Sequence, residues 1–309
     1  MVELPYLSFF HLTEEPFSTS PNPRFLYVSP IHNAALQKTT YVVSAKKGLA
    51  ICFGDTGTGK TTLARLLAQR FADDSAFIPV LVTNPHFPTP NQLLRAIIQE
   101  FEVPRSAKSY LDLMNILKAF LAEQTLQHSK TPVLIIDEAQ TMKLPLLELL
   151  RQLMNYESND QKFLQIVLFA QNEFRSRLKD PRARNLQNRI VMSSTLENLS
   201  IDDTTEMLRF RWTVAGGASE TFPFLQEAIT AIYEYSQGVP RLQVILADNA
   251  LLAASLQQRK TIGRDVIRSI IESRGLADNE EPTPLPQVKA KPSERTLRAQ
   301  RAKLRGPNL

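Results

Sequence analysis

The sequence predicts an α/β fold in which a parallel sheet is flanked by helices and followed by a small C-terminal all-helical domain. A continuous apolar run at residues 49–53 leads into a glycine-rich loop and then into a helix-forming segment, residues 62–68. Apolar runs and helical segments then alternate up to residue 199, which is typical of a parallel sheet covered on both faces. From Ile201 onward the periodicity is wholly helical.

The individual elements follow from the same signals. A helix is predicted over residues 29–46, ahead of the first strand. Further apolar runs of strand length predict strands at residues 78–83, 132–137, 164–170 and 189–194. Segments of helical composition separate them, at residues 89–102, 110–128 and 145–157. The helical domain contains residues 201–214, 224–236, 240–257 and 264–274, with Gly216, Gly217 and Gly238 as breakers.

Length and composition set the broad class. A chain of 309 residues with 43% hydrophobic residues is long enough for one large α/β domain and a smaller one. It has no uninterrupted apolar run of roughly 18 residues and no basic region ahead of an apolar core at its start, so we expect neither a membrane span nor a signal peptide. The single cysteine, Cys52, is expected to be a small buried hydrophobic residue, and the cytoplasm is the expected compartment.

The net charge of +5 is unevenly distributed. Between residues 289 and 305, seven basic residues accompany one acidic residue, Glu294, which leaves the rest of the chain at about −1. Residues 277–309, which begin as a proline-containing linker, are therefore expected to form a basic and disordered tail. The seven basic residues are Lys289, Lys291, Arg295, Arg298, Arg301, Lys303 and Arg305.

The loop after the first strand fills every fixed position of the G-x-x-x-x-G-K-[ST] phosphate-binding pattern. Its glycines let successive backbone N–H groups point at phosphate oxygens, and the following helix directs its positive dipole end at the same anion. Within the loop, Lys60 is expected to reach the β- and γ-phosphates, and the Thr61 hydroxyl to ligate Mg²⁺. The pattern predicts ATP or GTP binding by Gly54, Asp55, Thr56, Gly57, Thr58, Gly59, Lys60, Thr61 and Thr62.

Two carboxylates follow the apolar strand that ends near residue 136. Asp137 and Glu138 are expected at the carboxyl edge of the sheet, beside the phosphate-binding loop. Asp137 would hold Mg²⁺ through water, and Glu138 would orient or deprotonate the attacking water, a role that requires a carboxylate near the γ-phosphate. Acids at strand ends are often only solvated, but the phosphate-binding loop upstream favours the functional interpretation.

These motifs resemble those of the AAA+ ATPases of the ExeA/GspA type, over roughly residues 7–275. The resemblance implies a P-loop AAA+ sheet with a helical lid, ATP with Mg²⁺ as cofactors, and assembly into a ring or helical oligomer. The same broad clade is similar to DNA-transposition ATPases of the TnsC, TniB and MuB kind. The motifs are Glu15-Pro16-Phe17, residues 21–27, Asp137-Glu138-Ala139-Gln140, residues 147–153, residues 164–168, and Gly238-Val239-Pro240-Arg241.

The resemblance implies four parts of the chain. Phe17 and His32 resemble the segment that covers the adenine, although core packing accounts equally well for Phe17. The parts are an N-terminal segment covering the nucleotide (1–48), the AAA+ α/β nucleotide-binding domain (49–199), the helical lid (200–276) and the tail (277–309).

Two sensor residues are also implied. Gln171, at the end of the strand after the acidic pair, matches a polar residue that senses the γ-phosphate, and an ordinary strand-end amide is the alternative. Because the chain has Asn172 where relatives usually have proline, Asn172 could share or replace that role. Arg241, at the start of a helix, matches an arginine that reports the nucleotide state to the lid, and a helix-capping arginine is the alternative.

Arg189 matches the position from which such ATPases reach into a neighbouring subunit, and Arg184 is the second candidate. A guanidinium supplied by another copy stabilises charge in the phosphoryl-transfer transition state, and it would tie hydrolysis to oligomer formation. A solvated arginine within a basic run is the alternative.

The sequence favours a role for this ATPase on DNA, as a regulator of transposition or recombination. It would assemble on duplex DNA without sequence preference, through basic residues such as Lys46, Lys47, Arg105 and Lys108, and recruit a transposase or targeting protein through its tail. The basic tail and the expected lack of an anchor or periplasmic domain favour this interpretation over the alternative. The alternative is an accessory ATPase of a type II secretion or pilus system, and the tail could also contact anionic lipid or simply be solvated.

Overall fold

The structure, a computed structural model, describes residues 4–103 and 109–273. Its centre is a five-stranded sheet in which all neighbouring strands are parallel, in the order β2-β3-β4-β1-β5. The α/β fold class predicted from the alternating pattern is thereby confirmed. The strands are β1 (Leu49–Gly54), β2 (Phe77–Val82), β3 (Thr131–Ile136), β4 (Gln165–Ala170) and β5 (Ile190–Leu196).

Helices cover both faces of the sheet and then form a separate bundle. The helices that come before the bundle in sequence are α1 (Pro5–Phe10), α2 (Pro30–Ser44), α3 (Lys60–Ala72), α4 (Pro90–Glu100), α5 (Tyr110–Leu126), α6 (Leu144–Leu153), α7 (Phe174–Leu178) and α8 (Arg184–Gln187). Those of the bundle, the lid, are α9 (Ile201–Val214), α10 (Gln226–Ser236), α11 (Pro240–Leu256) and α12 (Arg264–Ser273). None of the helices in the described residues is long and apolar enough to cross a membrane.

Local capping explains where several helices begin. Ser29 caps α2 by accepting a hydrogen bond from the backbone of His32, and Pro30 follows at the first helical position. Thr89 forms a capping box with Gln92 at the start of α4. Such caps supply partners for the N–H groups that the first turn leaves free, so these boundaries are encoded locally.

The central strands are buried on both faces, because α2 and α3 pack on one face while α4, α5 and α6 pack on the other. All six residues of β1, β3 and β4 are buried, which accounts for their continuous apolar sequences. Cys52 is 0% exposed in β1, and burial raises the pKa of its thiol to about 11. This cysteine is a small core residue, as expected.

The parallel register brings the carboxyl ends of four strands to one edge. Phe53 lies opposite Ala170, Gly54 lies opposite Leu196, and Ile136 lies opposite Leu168. The segments that leave β1, β3 and β4 at this edge are the phosphate-binding loop, the acidic pair and Gln171. The predicted site residues therefore lie together because the strands that precede them end at the same edge of the sheet.

The N-terminal segment is shared between the two parts of the molecule. Tyr6, Phe10 and Phe17 belong to the core of the lid, where the Phe10 ring lies 5.8 Å from that of Trp212 and the Phe17 ring 5.7 Å from that of Phe224. The α2 helix packs instead against β1 and β5. Residues that precede the sheet in sequence thus fasten the lid to the sheet domain.

Some sequence expectations differ from the structure, and others fall outside it. The α6 helix ends at Leu153 rather than at residue 157, since residues 157 and 162 form a short antiparallel bridge instead. The short helices α1, α7 and α8 had no signal in the sequence pattern. The basic tail at 277–309, Arg105 and Lys108 lie outside the described residues.

Candidate nucleotide-binding site

A cavity of about 310 Å³ opens at the carboxyl edge of the sheet. The phosphate-binding loop, through residues 56–62, forms one side, and residues 18–22 and 25–27 of the N-terminal segment form another. The lid contributes residues such as Met207 and Arg241. A cleft of this size, enclosed by three parts of the chain, is within the range of small-ligand sites.

The glycines of the loop have definite structural tasks. Gly57 and Gly59 have φ angles of 86° and 95°, which side-chain-bearing residues rarely adopt. A Cβ atom on Gly57 would lie only 2.9 Å from Cγ1 of Val239 and 3.0 Å from Cβ of Arg241. The lid therefore touches the loop where glycine leaves room, and the Arg241 N–H donates to the Gly57 carbonyl at 3.2 Å. This contact gives the lid a direct link to the phosphate-binding loop.

Lys60 begins α3 and is nearly buried, at 5% exposure. Its Nζ donates to the carbonyls of Gly54 at 2.9 Å and Asp55 at 2.8 Å, so the ammonium lies against the loop. Burial lowers the pKa of Lys60, and the carboxylates of Glu138 and Asp137 act in the opposite direction. The positive charge is thus held between the loop and the acidic pair.

Thr61 and Asp137 form a direct pair between α3 and the end of β3. The Thr61 hydroxyl donates to Oδ2 of Asp137 at 2.5 Å, and the backbone N–H of Glu138 donates to Oδ1 at 2.9 Å. Asp137 is 1% exposed, and burial raises its pKa while these two hydrogen bonds lower it.

This hydroxyl and carboxylate fit Mg²⁺, which prefers hard oxygen ligands and usually keeps waters beside one or two protein groups. A metal site built only from protein ligands would need a cluster of three or more acidic, histidine or cysteine side chains, and the described residues contain none. Thr61 and Asp137 would hold the ion. Neutralisation of phosphate charge, which phosphoryl transfer requires, would be supplied there by Mg²⁺.

Glu138 lines the cavity immediately after Asp137. Its φ of 54° lies in the left-handed region, which is uncommon for a residue other than glycine, asparagine or aspartate. The chain turns sharply here, and the Glu138 carboxylate accepts a hydrogen bond from the side chain of Gln140. A left-handed residue at such a turn is a frequent feature of functional sites.

The end of β4 carries two amides with different partners. Gln171 lines the cavity, and its backbone N–H donates to Oε1 of Gln140 at 3.1 Å. Asn172 instead donates from Nδ2 to Oδ1 of Asp55 at 2.8 Å. Gln171 is therefore the amide at the cavity, while Asn172 fastens the strand end to the phosphate-binding loop.

His32 and Phe17 have different surroundings. His32, 2% exposed, approaches the Thr58 carbonyl with Nε2 at 3.1 Å and the Ser29 hydroxyl with Nδ1 at 2.7 Å. Burial lowers its pKa, so the neutral ring donates from Nε2 and accepts at Nδ1, supporting the loop. Phe17 is 1% exposed within the lid core and does not line the cavity, which favours core packing for this residue over a place beside the adenine.

Arg189 lies far from the cavity of its own chain. It precedes β5, whose first residue Ile190 lies opposite Leu49, so it is at the amino edge of the sheet. A strand of six residues spans about 20 Å, which separates Arg189 from the phosphate-binding loop at the other edge. Arg184, in α8, is exposed, and no hydrogen bond or ion pair of its side chain occurs with the described residues. Neither arginine completes the site within one chain.

Arg211 is a cavity residue that the sequence did not reveal. From α9 it donates to the carbonyls of Pro16 at 2.7 Å and Ser18 at 2.7 Å, and it lies 5.4 Å from the Phe25 ring. Burial lowers the pKa of Arg211 to about 10, opposed by Glu15, so the guanidinium stays charged at neutral pH. Arg211 thereby links the N-terminal wall of the cavity to the lid. A single arginine in a helical sequence gives no signal of such a role.

Comparisons with known proteins indicate the kind of domain that carries this cavity. The family model for an AAA domain matches residues 43–178. Over 274 residues the chain is 36% identical to general secretion pathway protein A of Aeromonas hydrophila, a match that covers 88% of this chain and 49% of that protein. The chain therefore spans about half the length of this relative.

Solved structures support the fold. The ORC2 protein of Aeropyrum pernix, in ADPNP-ADP complexes, aligns with a TM-score of 0.64 at 17% identity, covering 84% of this chain and 71% of that one. CDC6P of Pyrobaculum aerophilum aligns with a TM-score of 0.64 at 18% identity, covering 85% and 71%. At such identities the likeness concerns the fold alone. The AAA domain match and the phosphate-binding loop make the chain a P-loop ATPase, and the solved structures agree with its AAA+ sheet and helical lid.

Proposed function

We propose that this chain is an accessory ATPase of a secretion system, in which ATP binding and hydrolysis control contacts with envelope components. The observation that carries the proposal is the 36% identity to general secretion pathway protein A, because it extends over 274 residues rather than over the phosphate-binding loop alone. A shared phosphate-binding loop would support only a shared nucleotide-hydrolysing domain. Similarity over most of this chain supports a shared task.

The role on DNA, which the sequence favoured, has less support than this alternative. It depended largely on the basic tail, which lies outside the described residues. Of the body lysines invoked for DNA, Lys46 donates to Gln161 and Lys47 to Tyr41 within the protein. The likeness to ORC and Cdc6 structures at 17–18% identity concerns the fold and carries no DNA partner with it.

The chemistry of the proposed reaction follows from the cavity. The Lys60 ammonium would contact the β- and γ-phosphates, while loop N–H groups surround them. Glu138 would orient or deprotonate the water that attacks the γ-phosphorus, releasing phosphate and leaving ADP. Gln171 and Arg241, at the cavity from the sheet and the lid, would contact the γ-phosphate, so that its loss changes the contact between lid and loop.

The position of Arg189 supports assembly of several copies. Since it lies at the amino edge of its own sheet, it would act only on nucleotide bound by a neighbouring copy, with exposed Arg184 as the other candidate. We therefore propose a ring or helical oligomer in which each cavity is completed by the next chain. We also propose the cytoplasm, where ATP is available, as its compartment.

A chimera tests the proposed task. The part of the Aeromonas hydrophila protein that matches this chain is replaced by residues 4–273, and export of a secreted reporter enzyme is measured in cells that lack the native protein. We expect the chimera to restore export and the same chimera with Glu138→Gln to fail. Because the remainder of the relative is identical in the two chimeras, a difference in export between them is due to Glu138.

The competing role is measured in parallel with the purified full chain. Binding to fluorescent duplex DNA is titrated with salt, with and without a non-hydrolysable ATP analogue. ATP-dependent, salt-sensitive binding to duplex DNA, combined with a folded chimera that restores no export, would overturn the secretion proposal in favour of the DNA regulator. Export restored without ATP-dependent DNA binding would support it.

A further inference from the structure

One glutamine side chain links two of the predicted catalytic elements. Gln140 lies in a short 3₁₀ turn, Ala139–Thr141, two residues after Glu138. Its Nε2 donates to Oε2 of Glu138, and its Oε1 accepts from the backbone N–H of Gln171 at 3.1 Å. The same amide therefore contacts the acidic residue at the cavity and the end of β4.

The turn that carries this amide is itself firmly held. The Thr141 N–H and hydroxyl both donate to the Glu138 carbonyl at 2.9 Å. Arg177, from α7, donates to the backbone carbonyls of Gln140 itself and of Met142, two residues further along the chain. Ala139 and Met142 are both 0% exposed. The backbone on either side of Gln140 is thus fixed by packing and by charge-assisted hydrogen bonds.

A glutamine suits this position because its amide donates and accepts at once. A glutamate at this position could accept from Gln171 but could not donate to Glu138. A hydrophobic residue could do neither. The final torsion of a glutamate side chain is broad and roughly two-fold, so a carboxylate without a fixed partner samples many orientations. The contact from Gln140 occupies one oxygen of Glu138 and leaves the other to accept a hydrogen bond from water.

We propose that Gln140 is a positioning residue for ATP hydrolysis, which fixes the Glu138 carboxylate and couples it to the strand end at Gln171. The proposal rests on the assigned role of Glu138. Gln140 does not line the cavity, so its action on the reaction would run through Glu138. A shift of the β4 end on contact with the γ-phosphate is transmitted by this amide to the acidic residue.

The first test compares kcat and KM for ATP in Gln140→Ala, Gln140→Glu and the wild-type full chain. We expect Gln140→Ala to lower kcat about tenfold, in keeping with the sensitivity of rates to misplaced catalytic groups, and to leave KM and the dissociation constant of a fluorescent ATP analogue within about twofold of wild type. Gln140→Glu keeps an acceptor for the N–H of Gln171 but loses the donor to Glu138. If its kcat falls as much as that of Gln140→Ala or more, the effect is assigned to the contact with Glu138. Gln152→Ala is the matched control, because Gln152 also donates to a glutamate, Glu148, away from the cavity.

A double variant tests whether Gln140 acts through Glu138. In single-turnover measurements, Gln140→Ala added to Glu138→Gln should cause no further loss, since the group being positioned is already inactive. Wild-type or faster turnover in Gln140→Ala, a joint loss of nucleotide binding and thermal stability, or additive losses in the double variant would each overturn the proposal. Wild-type turnover in Glu138→Gln alone would instead overturn the role of Glu138, so the two failures are distinguishable.

Discussion

Glu138→Gln is expected to lower the steady-state rate of ATP hydrolysis by at least about a hundredfold, within the usual range for removal of a general acid or base. The amide is close in size to the carboxylate, and its oxygen can still accept from Gln140, so the surrounding contacts survive. What is lost is the negative charge that would attract and deprotonate the attacking water. Lys60, Thr61 and the loop are untouched, and ATP binding should be retained.

The measurement is phosphate release under saturating ATP, together with the dissociation constant of a fluorescent ATP analogue. Glu173→Gln is a suitable control, because this exposed acid follows the β4 end without lining the cavity. We expect that variant to keep wild-type turnover. Rapid hydrolysis by Glu138→Gln, or loss of hydrolysis in Glu173→Gln alone, would contradict the assigned role.

Lys60→Ala is expected to abolish nucleotide binding at concentrations that saturate the wild-type chain. The ammonium is nearly buried against the phosphate-binding loop, and the acidic pair Asp137 and Glu138 lies close enough to influence its pKa. Removing it leaves those carboxylates to repel the phosphates of the nucleotide. It also leaves the carbonyls of Gly54 and Asp55 without their shared donor.

Thermal unfolding separates lost binding from lost folding. A ligand that binds only the folded state raises its stability by an amount that grows with ligand concentration relative to Kd. We expect Mg-ATP to raise the Tm of the wild type and of Lys47→Ala, whose lysine contacts Tyr41 at the surface, and to leave the Tm of Lys60→Ala unchanged. An ATP-dependent rise in Lys60→Ala equal to that of the wild type would refute the role of the lysine.

The sheet and its edge were predictable because the signals were local and redundant. Apolar runs marked β1, β3 and β4, and parallel pairing then placed the loop, Asp137 and Gln171 at one edge. The lid helices were equally clear from their periodicity and glycine breakers. Short helices such as α7 and α8 were not predicted, because segments of five and four residues are too short to show a helical period.

Side-chain partners were beyond the sequence pattern. Phe17 was compatible with a cavity wall or a core, and only the packing against Phe224 decides for the core. Arg211 and Gln140 gained their roles from carbonyl and carboxylate groups that lie close only after folding. Motifs therefore predicted the candidate reacting groups, whereas the side chains that contact and orient them had to be located in the structure.

Mixing two inactive variants measures most directly whether the copies share their active sites. We expect Lys60→Ala to lose nucleotide binding while still presenting Arg189, and Arg189→Ala to bind nucleotide while lacking the guanidinium for its neighbour. Each variant alone is expected to be inactive, and ATP hydrolysis should return on mixing, with a matching Arg184→Ala mixture identifying the arginine that acts. Full activity of Arg189→Ala and Arg184→Ala, singly and combined, would contradict a site completed by a second copy.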